Sequence, residues 1–552
     1  MKAGWTFTFL FNNPVPALIL AYGSSNLSKV QMETQKKILW VDDEIDLLRP
    51  HLRLLEQKGY QVDTAANGED AIDLVKNKVY DLVFLDEMMP GLGGLQTLSE
   101  MKDISPTLPV VMVTKSEAES LMEEAIGSKI TDYLVKPVNP SQILMACKKI
   151  FDSKKISGAH VSRDYIKEFQ NISFTLNTSL TESDWIDLYL KLTNWDMELD
   201  AHPELGLRQT LQDQKRECNA EFGKFVERNY RKWIDDAQRP IMLSPDVMER
   251  CVLPELNDRT SVFFFVIDCL RLDQWLILEE LLSEYYTFEK QYYFSILPTA
   301  TPYSRNAIFS GYFPIEIEKR FPEIWSSEDD DDENSRNRYE HQLMDKLLER
   351  KRIVLKPESK YVKILDPEFG RQFEANIISY TQSRLTAVVV NFIDMLAHGR
   401  SDSPLLKEIA PDEAAYRSLT RSWFQYSSLF GMLKTLASQK NVKVILTTDH
   451  GSVRCMRGSK VVGDREASTN LRYKFGRNLK VDEKQAVFIK SPIDYKLPRS
   501  SVTTNYVMAK EDYYFVYPTE YHKYLNQYRD SFQHGGISLQ EMILPIVKLE
   551  PK

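Results

Sequence analysis

Cysteine is scarce in this chain: Cys147, Cys218, Cys251, Cys269 and Cys455 are all there are in 552 residues. They are scattered, odd in number and form no C-x-x-C. That argues against a disulfide framework or a cysteine-held zinc site and points to thiols in a reducing, cytoplasmic setting. Histidine is also rare, with eight residues. The most apolar stretch near the start, WTFTFLFNNPVPALILAYG, is broken by Asn-Asn and two prolines. It falls short of the roughly 18 unbroken apolar residues that span a bilayer, and no membrane span is expected. Excess positive charge is absent too: 70 Lys and Arg stand against 79 Asp and Glu, a net charge of −9. With no helix-turn-helix or basic reading helix evident, duplex DNA binding by this chain is not expected.

The length implies roughly three domains, and 43% hydrophobic with 27% charged residues is a soluble, globular balance. Four segments are expected: an upstream extension at 1–31, with Met32 standing just before the first strand pattern, then 32–153, 154–255 and 256–552. From Lys37 onward, five short apolar runs (KILWV, YQVDTA, DLVFLD, PVVMVT and DYLVK) alternate with helical patterns. This predicts a five-stranded, doubly wound parallel sheet. Such sheets carry their functional groups at the carboxyl ends of strands. Those ends hold Asp42 and Asp43, Asp86, Thr114 and Lys136. Two acids plus Asp86 suit Mg²⁺; Lys136 would neutralise a phosphoryl group on Asp86, and Thr114 would hydrogen-bond to it.

Residues 154–255 read as helical and aromatic, a connector in which Trp185, Tyr189, Trp195 and Trp233 are expected in the core. Beyond it, SVFFFVID ends at Asp268, TAVVVNFID at Asp394 with His398 four residues on, and NVKVILTTDH at Asp449 and His450. Continuous β-branched runs suit central parallel strands covered on both faces, so these ligand types should converge on one sheet edge. His534 follows in QHGGISLQEMILPIV, where two glycines permit a sharp turn and Ser538 with Glu541 suggests a capping box. The oxygen and nitrogen mix of these six residues suits two zinc ions. In LPTATPYSR, Thr301 reads either as the N-cap of a helix with Pro302 at its first position, or as a nucleophile; Thr299 is the second candidate, and Arg305 a phosphate contact or a structural residue. The acidic run 326–337 reads as a solvated loop.

The strings WVDDE, FLDEMMPGLGG, MVTKSE and DYLVKPVNP resemble the receiver domain of bacterial response regulators. That resemblance implies Asp86 as phosphoacceptor, Asp42 and Asp43 as the Mg²⁺ pair, Thr114 and Tyr133 as switch residues and Lys136 as phosphate partner. The C-terminal half resembles the PglZ family of the alkaline phosphatase superfamily through IDCLRLD, LPTATPYSR, FIDMLAHG, TTDHG and HGGISLQEMILPIV. The resemblance implies an alkaline-phosphatase-like α/β domain with a central, mostly parallel sheet. It further implies one zinc ion on Asp268, Thr301, Asp449 and His450, a second on Asp394, His398 and His534, and Thr301 as nucleophile. The whole order resembles PorX-type response regulators of type IX secretion. It implies a cognate histidine kinase, a phosphodiester or nucleotide substrate, a phosphorylation-dependent homodimer and a secretion or transcription component as partners. The competing reading is a non-enzymatic signalling scaffold with a structural zinc site.

Overall fold

A computed structural model describes residues 36–106, 108–115, 130–325, 338–464, 468–499 and 501–552. The expected extension 1–31 and the acidic run 326–337 lie outside the described residues. The chain divides into two compact units, Met1–His160 and Val161–Lys552.

In the first unit, β1 (Lys37–Val41), β2 (Gln61–Ala65), β3 (Leu82–Asp86), β4 (Val110–Thr114) and β5 (Asp132–Val135) form one sheet in the order β2-β1-β3-β4-β5. Every pairing is parallel. β3 and β4 are buried along their whole length, as central strands with helices on both faces must be. Two apolar layers flank the sheet: Leu39, Val83 and Leu98 on one face, Trp40, Phe84 and Ile143 on the other.

The second unit is built on a six-stranded sheet. It contains β6 (Ser261–Ile267), β7 (Tyr286–Phe294), β8 (Lys360–Ile364), β9 (Leu385–Val390), β10 (Val442–Thr447) and a final strand, Ile543–Pro551. From one edge the order is β7, final strand, β10, β6, β9, β8. β10, β6, β9 and β8 run parallel, while the final strand is antiparallel to both its neighbours. All seven residues of β6 are buried. Residues 154–255 were expected as a separate helical segment. Its helices Glu182–Ala201 and Arg208–Asp235 place Trp185, Tyr189, Phe222 and Trp233 in the same apolar core as Phe263, Phe265 and Phe294 of the sheet. Trp195 is half-buried against that core.

β9 departs from the expected pattern. The apolar run reaches Asp394, but the strand stops at Val390 and a helix, Phe392–Asp402, begins immediately. Hydropathy could not separate the two because FIDMLA is apolar on the helix as well. Asp394 and His398 therefore lie one helical turn apart, where i and i+4 side chains share a face.

Candidate metal centres at two sheet edges

In the first unit, Asp42 follows β1, Asp86 and Thr114 end β3 and β4, and Lys136 follows β5. Asp42 and Asp86 are buried, and Lys136 Nζ reaches both, at 2.9 and 3.0 Å. Asp42, Asp43 and Asp86 each offer an oxygen within 4.8 Å of the others, the spacing of a cation site. Burial, which is only partly offset by Lys136, pushes the Asp86 carboxyl above its usual range. Burial alone would lower Lys136, but Asp42 and Asp86 hold it up, so it stays charged. The Thr114 hydroxyl donates to Glu87, a partner that sequence reasoning did not anticipate. Tyr133 is 41% exposed.

In the second unit, the loops after β6 and β10 meet at the carboxyl edge. Asp268 N donates to Val390 O at 2.9 Å, and Cys269 adopts a left-handed φ of 64° that turns the chain away from the strand. Asp268, Asp449 and His450 offer ligand atoms within 4.8 Å of one another, and so do Asp394, His398 and His534. The His450 and His534 rings stack at 4.3 Å, so the two triads adjoin. His398 Nε2 and His534 Nε2 face each other at 3.4 Å. The first triad is closed, with His450 and Asp449 fully buried. The second opens to solvent at His398, whose side chain is 46% exposed.

Thr301 Oγ1 lies 3.0 Å from His450 Nε2 and 3.5 Å from Asp268 Oδ1. His450 Nδ1 is 3.1 Å from Gly451 O; donating there leaves Nε2 with its lone pair toward Thr301. The helix is Thr301–Ser310, its N-cap is Ala300, and Gly311 ends it at φ 65°. The N-cap expectation for Thr301 is therefore corrected. Ala300 takes the extended cap position, and the threonine hydroxyl turns to the ligand cluster instead of to its own helix. Thr299 serves the neighbouring loop. Its hydroxyl donates to Gly536 O at 2.8 Å and accepts from Gly535 N at 3.1 Å, which pins the segment that carries His534.

Arg305, expected as a phosphate contact or a structural residue, takes the second role. It is 1% exposed, with Nη1 2.8 Å from Asp268 Oδ2 and Nε 2.5 Å from Glu340 Oε1. A guanidinium held between two buried carboxylates is not open to substrate. Glu340, which also receives Tyr361, was missed; it lies beyond the acidic run and carries no local signal. Glu541 likewise leaves the expected capping box incomplete. Ser538 accepts from Glu541 N, but the Glu541 carboxylate takes Gly536 N and the fully buried Arg472.

The electrostatics of the cluster favour a cation. Burial, with Asp449 and Asp394 adding repulsion, pushes the Asp268 carboxyl up to about 7 despite Arg305. Burial raises Asp449 and lowers His450. Asp394 is half-buried, and although desolvation opposes its charge, His398, His534 and His450 draw it well below the usual carboxylate range. Asp449 Oδ2 is buried and has no hydrogen-bond partner among the described residues, which fits an atom reserved for a metal. Three carboxylates and three imidazoles are the donor set of a borderline metal such as zinc.

No helix among the described residues is long and apolar enough to cross a membrane. The receiver family model matches residues 38–148, and the model of the PorX response regulator linker domain matches 155–234. Among curated relatives, the chain is 38% identical to the alginate biosynthesis transcriptional regulatory protein AlgB of Pseudomonas syringae over 125 residues, 23% of this chain and 28% of that protein. It is 33% identical to a transcriptional regulatory protein CpxR homolog of Haemophilus influenzae over 165 residues, 30% of this chain and 70% of the relative. The chain thus spans little more than a quarter of the AlgB length. A CheY-like receiver domain protein from Methanospirillum hungatei is similar at 28% identity, covering 22% of this chain and 96% of the other, with a TM-score of 0.21. A receiver implies a cognate histidine kinase as partner, and receiver and alkaline-phosphatase-like domains generally use metal ions. With the model described as the BREX system PglZ alkaline phosphatase-like domain matching residues 247–549, this two-component response regulator, of the PorX type in its domain order, belongs to the PglZ family.

Proposed function

We propose that the second unit is a dinuclear zinc phosphoesterase that cleaves phosphodiesters of nucleotides or oligonucleotides, controlled by phosphorylation of Asp86. The observation that carries this reading is the Thr301 hydroxyl 3.0 Å from His450 Nε2, in the triad whose His450 ring stacks on His534 of the other. Asp268, Asp449 and His450 with Thr301 would hold one zinc ion and Asp394, His398 and His534 the other; when bound, the pair would neutralise the phosphoryl oxygens as Lewis acids. Thr301 Oγ1 attacks phosphorus. The Oγ1–P bond forms, the bond from phosphorus to the leaving alkoxide breaks, and the threonine proton ends on the leaving oxygen. Water then attacks the phospho-threonine, the Oγ1–P bond breaks, and the hydroxyl is restored as a phosphate monoester leaves. The Thr301–Ser310 helix starts at that hydroxyl, so the positive end of its dipole favours an anion there.

In the receiver, Asp42, Asp43 and Asp86 would hold Mg²⁺, and Asp86 accepts a phosphoryl group that Lys136 neutralises. Phosphorylation pairs two chains through the receiver. The site of action is cytoplasmic, and the output is regulation of type IX secretion through a secretion or transcription component; the PorX linker match supports this. The test is zinc content with hydrolysis of bis(p-nitrophenyl) phosphate and p-nitrophenyl phosphate by wild type and Thr301→Ala. Two zinc ions, preference for the diester and loss of turnover in the variant are expected. Bound zinc without turnover of either ester would overturn catalysis in favour of a scaffold.

A further inference from the structure

A cavity of about 770 Å³ opens among the helices Pro367–Tyr380, Phe392–Asp402, Glu413–Gln425 and Ser428–Ala437. Its volume is that of a small-molecule site. Its lining includes Ile364, the last residue of β8, and Val390, the last of β9. The cavity therefore sits on the same carboxyl edge of the sheet as the metal ligands. Met395 also lines it. On the Phe392–Asp402 helix, Met395 and His398 are i and i+3 neighbours, with Cβ atoms about 5–6 Å apart. Met395 thus shares a face of that helix with His398, a member of the solvent-open triad.

The walls are aromatic. Phe392 and Trp423 stack face to face at 4.2 Å, and Tyr426 stands 86% exposed at the mouth. The charged groups of the lining cancel, Asp366 and Glu374 against Arg371 and Lys434, so the cavity is not built for a phosphate. Glu374 is distinctive within it. Among the described residues it makes no hydrogen bond, and Lys434 acts on it only through space. Room for this carboxylate comes from Gly431: a Cβ there would lie 1.7 Å from Glu374 Oε1. An aromatic wall with one half-buried acceptor calls for a flat ring whose edge carries donors. Guanine offers two adjacent N–H donors that a carboxylate accepts in parallel, whereas adenine offers one amino group.

We infer that this cavity is a nucleobase subsite, in which a base stacks on the aromatic wall and guanine is selected by the Glu374 carboxylate. The inference rests on the nucleotide phosphoesterase reading above and extends it to base specificity. It is tested on the full chain by calorimetric titration with guanosine and adenosine, which carry no phosphate and need no turnover. Guanosine should bind roughly ten- to hundredfold tighter than adenosine, the range of a charge-assisted hydrogen bond. Glu374→Gln, and independently Gly431→Ala, should bring the ratio close to one with thermal midpoints unchanged. Equal affinity for the two nucleosides, no binding of either, or selectivity that survives Glu374→Gln would overturn the subsite. Failure of the p-nitrophenyl esters to react would overturn only the phosphoesterase reading, because nucleoside selectivity does not depend on turnover.

Discussion

Replacing Thr299 by valine separates the two threonines of the PTATP segment. Valine keeps the volume, so no cavity forms, but it removes a donor to Gly536 O and an acceptor from Gly535 N. Both glycines are buried, and water cannot replace the lost partner. Each neutral hydrogen bond is worth about 1 kcal/mol net, and a buried group left unsatisfied costs about 1–3 kcal/mol. The expected loss is about 2–4 kcal/mol, a large share of the 5–15 kcal/mol typical of a domain. The loop's other fixed points are Gly536 N on Glu541 Oε1 at 2.9 Å and Ile537 N on Ala509 O at 2.8 Å. Gly535 sits at φ 113°, and a Cβ on Gly536 would meet Ala509 O at 2.4 Å. Loosening this loop frees His534 and weakens the open triad. Urea unfolding followed by fluorescence should show a lower midpoint with an unchanged slope, and zinc content should fall from two toward one per chain. Thr299→Ser, which restores the hydroxyl, should recover most of both. A wild-type midpoint in Thr299→Val, or a serine variant as damaged as the valine one, would refute the anchoring role.

Tyr230→Phe removes the acceptor of the Leu297 N–H bond at 2.8 Å and should cost about 1–3 kcal/mol in the same urea assay. In the network of Arg271, Asp273, Arg417 and Glu413, burial opposes ionisation of Asp273. The two arginines nevertheless hold its carboxyl well below the usual range. Its stabilisation is therefore fully present above the unfolded value near 3.9 and is lost as pH falls below it. Urea midpoints between pH 6 and pH 3 should fall with acid, and less steeply in Asp273→Asn; equal slopes would count against the pair. Chelation should lower the apparent stability of the second unit, and a hundredfold excess of zinc over its Kd should restore about 2.7 kcal/mol. Scanning calorimetry with and without chelator measures this, and identical melting curves would argue against a resident metal.

The ligand-bearing strands were legible because buried parallel strands need unbroken β-branched runs, and Asp268 and Asp449 sit where those runs stop. Asp394 was legible as a residue, but its setting on a helix was hidden by the apolar start of that helix. Thr301 illustrates the ambiguity of local rules. Thr-Pro before a helix satisfies capping preferences, and only the convergence of His450 and Asp268, 149 and 33 residues away, gives the hydroxyl its partners. Glu340, Arg472, Asn219 and Tyr230 were not assigned from sequence because each acts through a partner distant in the chain. Asn219, for example, bonds Leu539 and Gln540, about 320 residues on.

The final strand, Ile543–Pro551, lies between β7 and β10 and pairs with nothing in the sheet except these two. During synthesis, both strands are made long before it and present unpaired edges until residues 543–551 emerge. The receiver unit, with its sheet closed by residue 135, has no such wait. Nascent chains of the second unit thus pass through a period of exposed edges in which strand pairing between neighbouring ribosomes competes with closure. Slow translation late in the message would prolong that period, and a chaperone covering those edges would shorten its consequences.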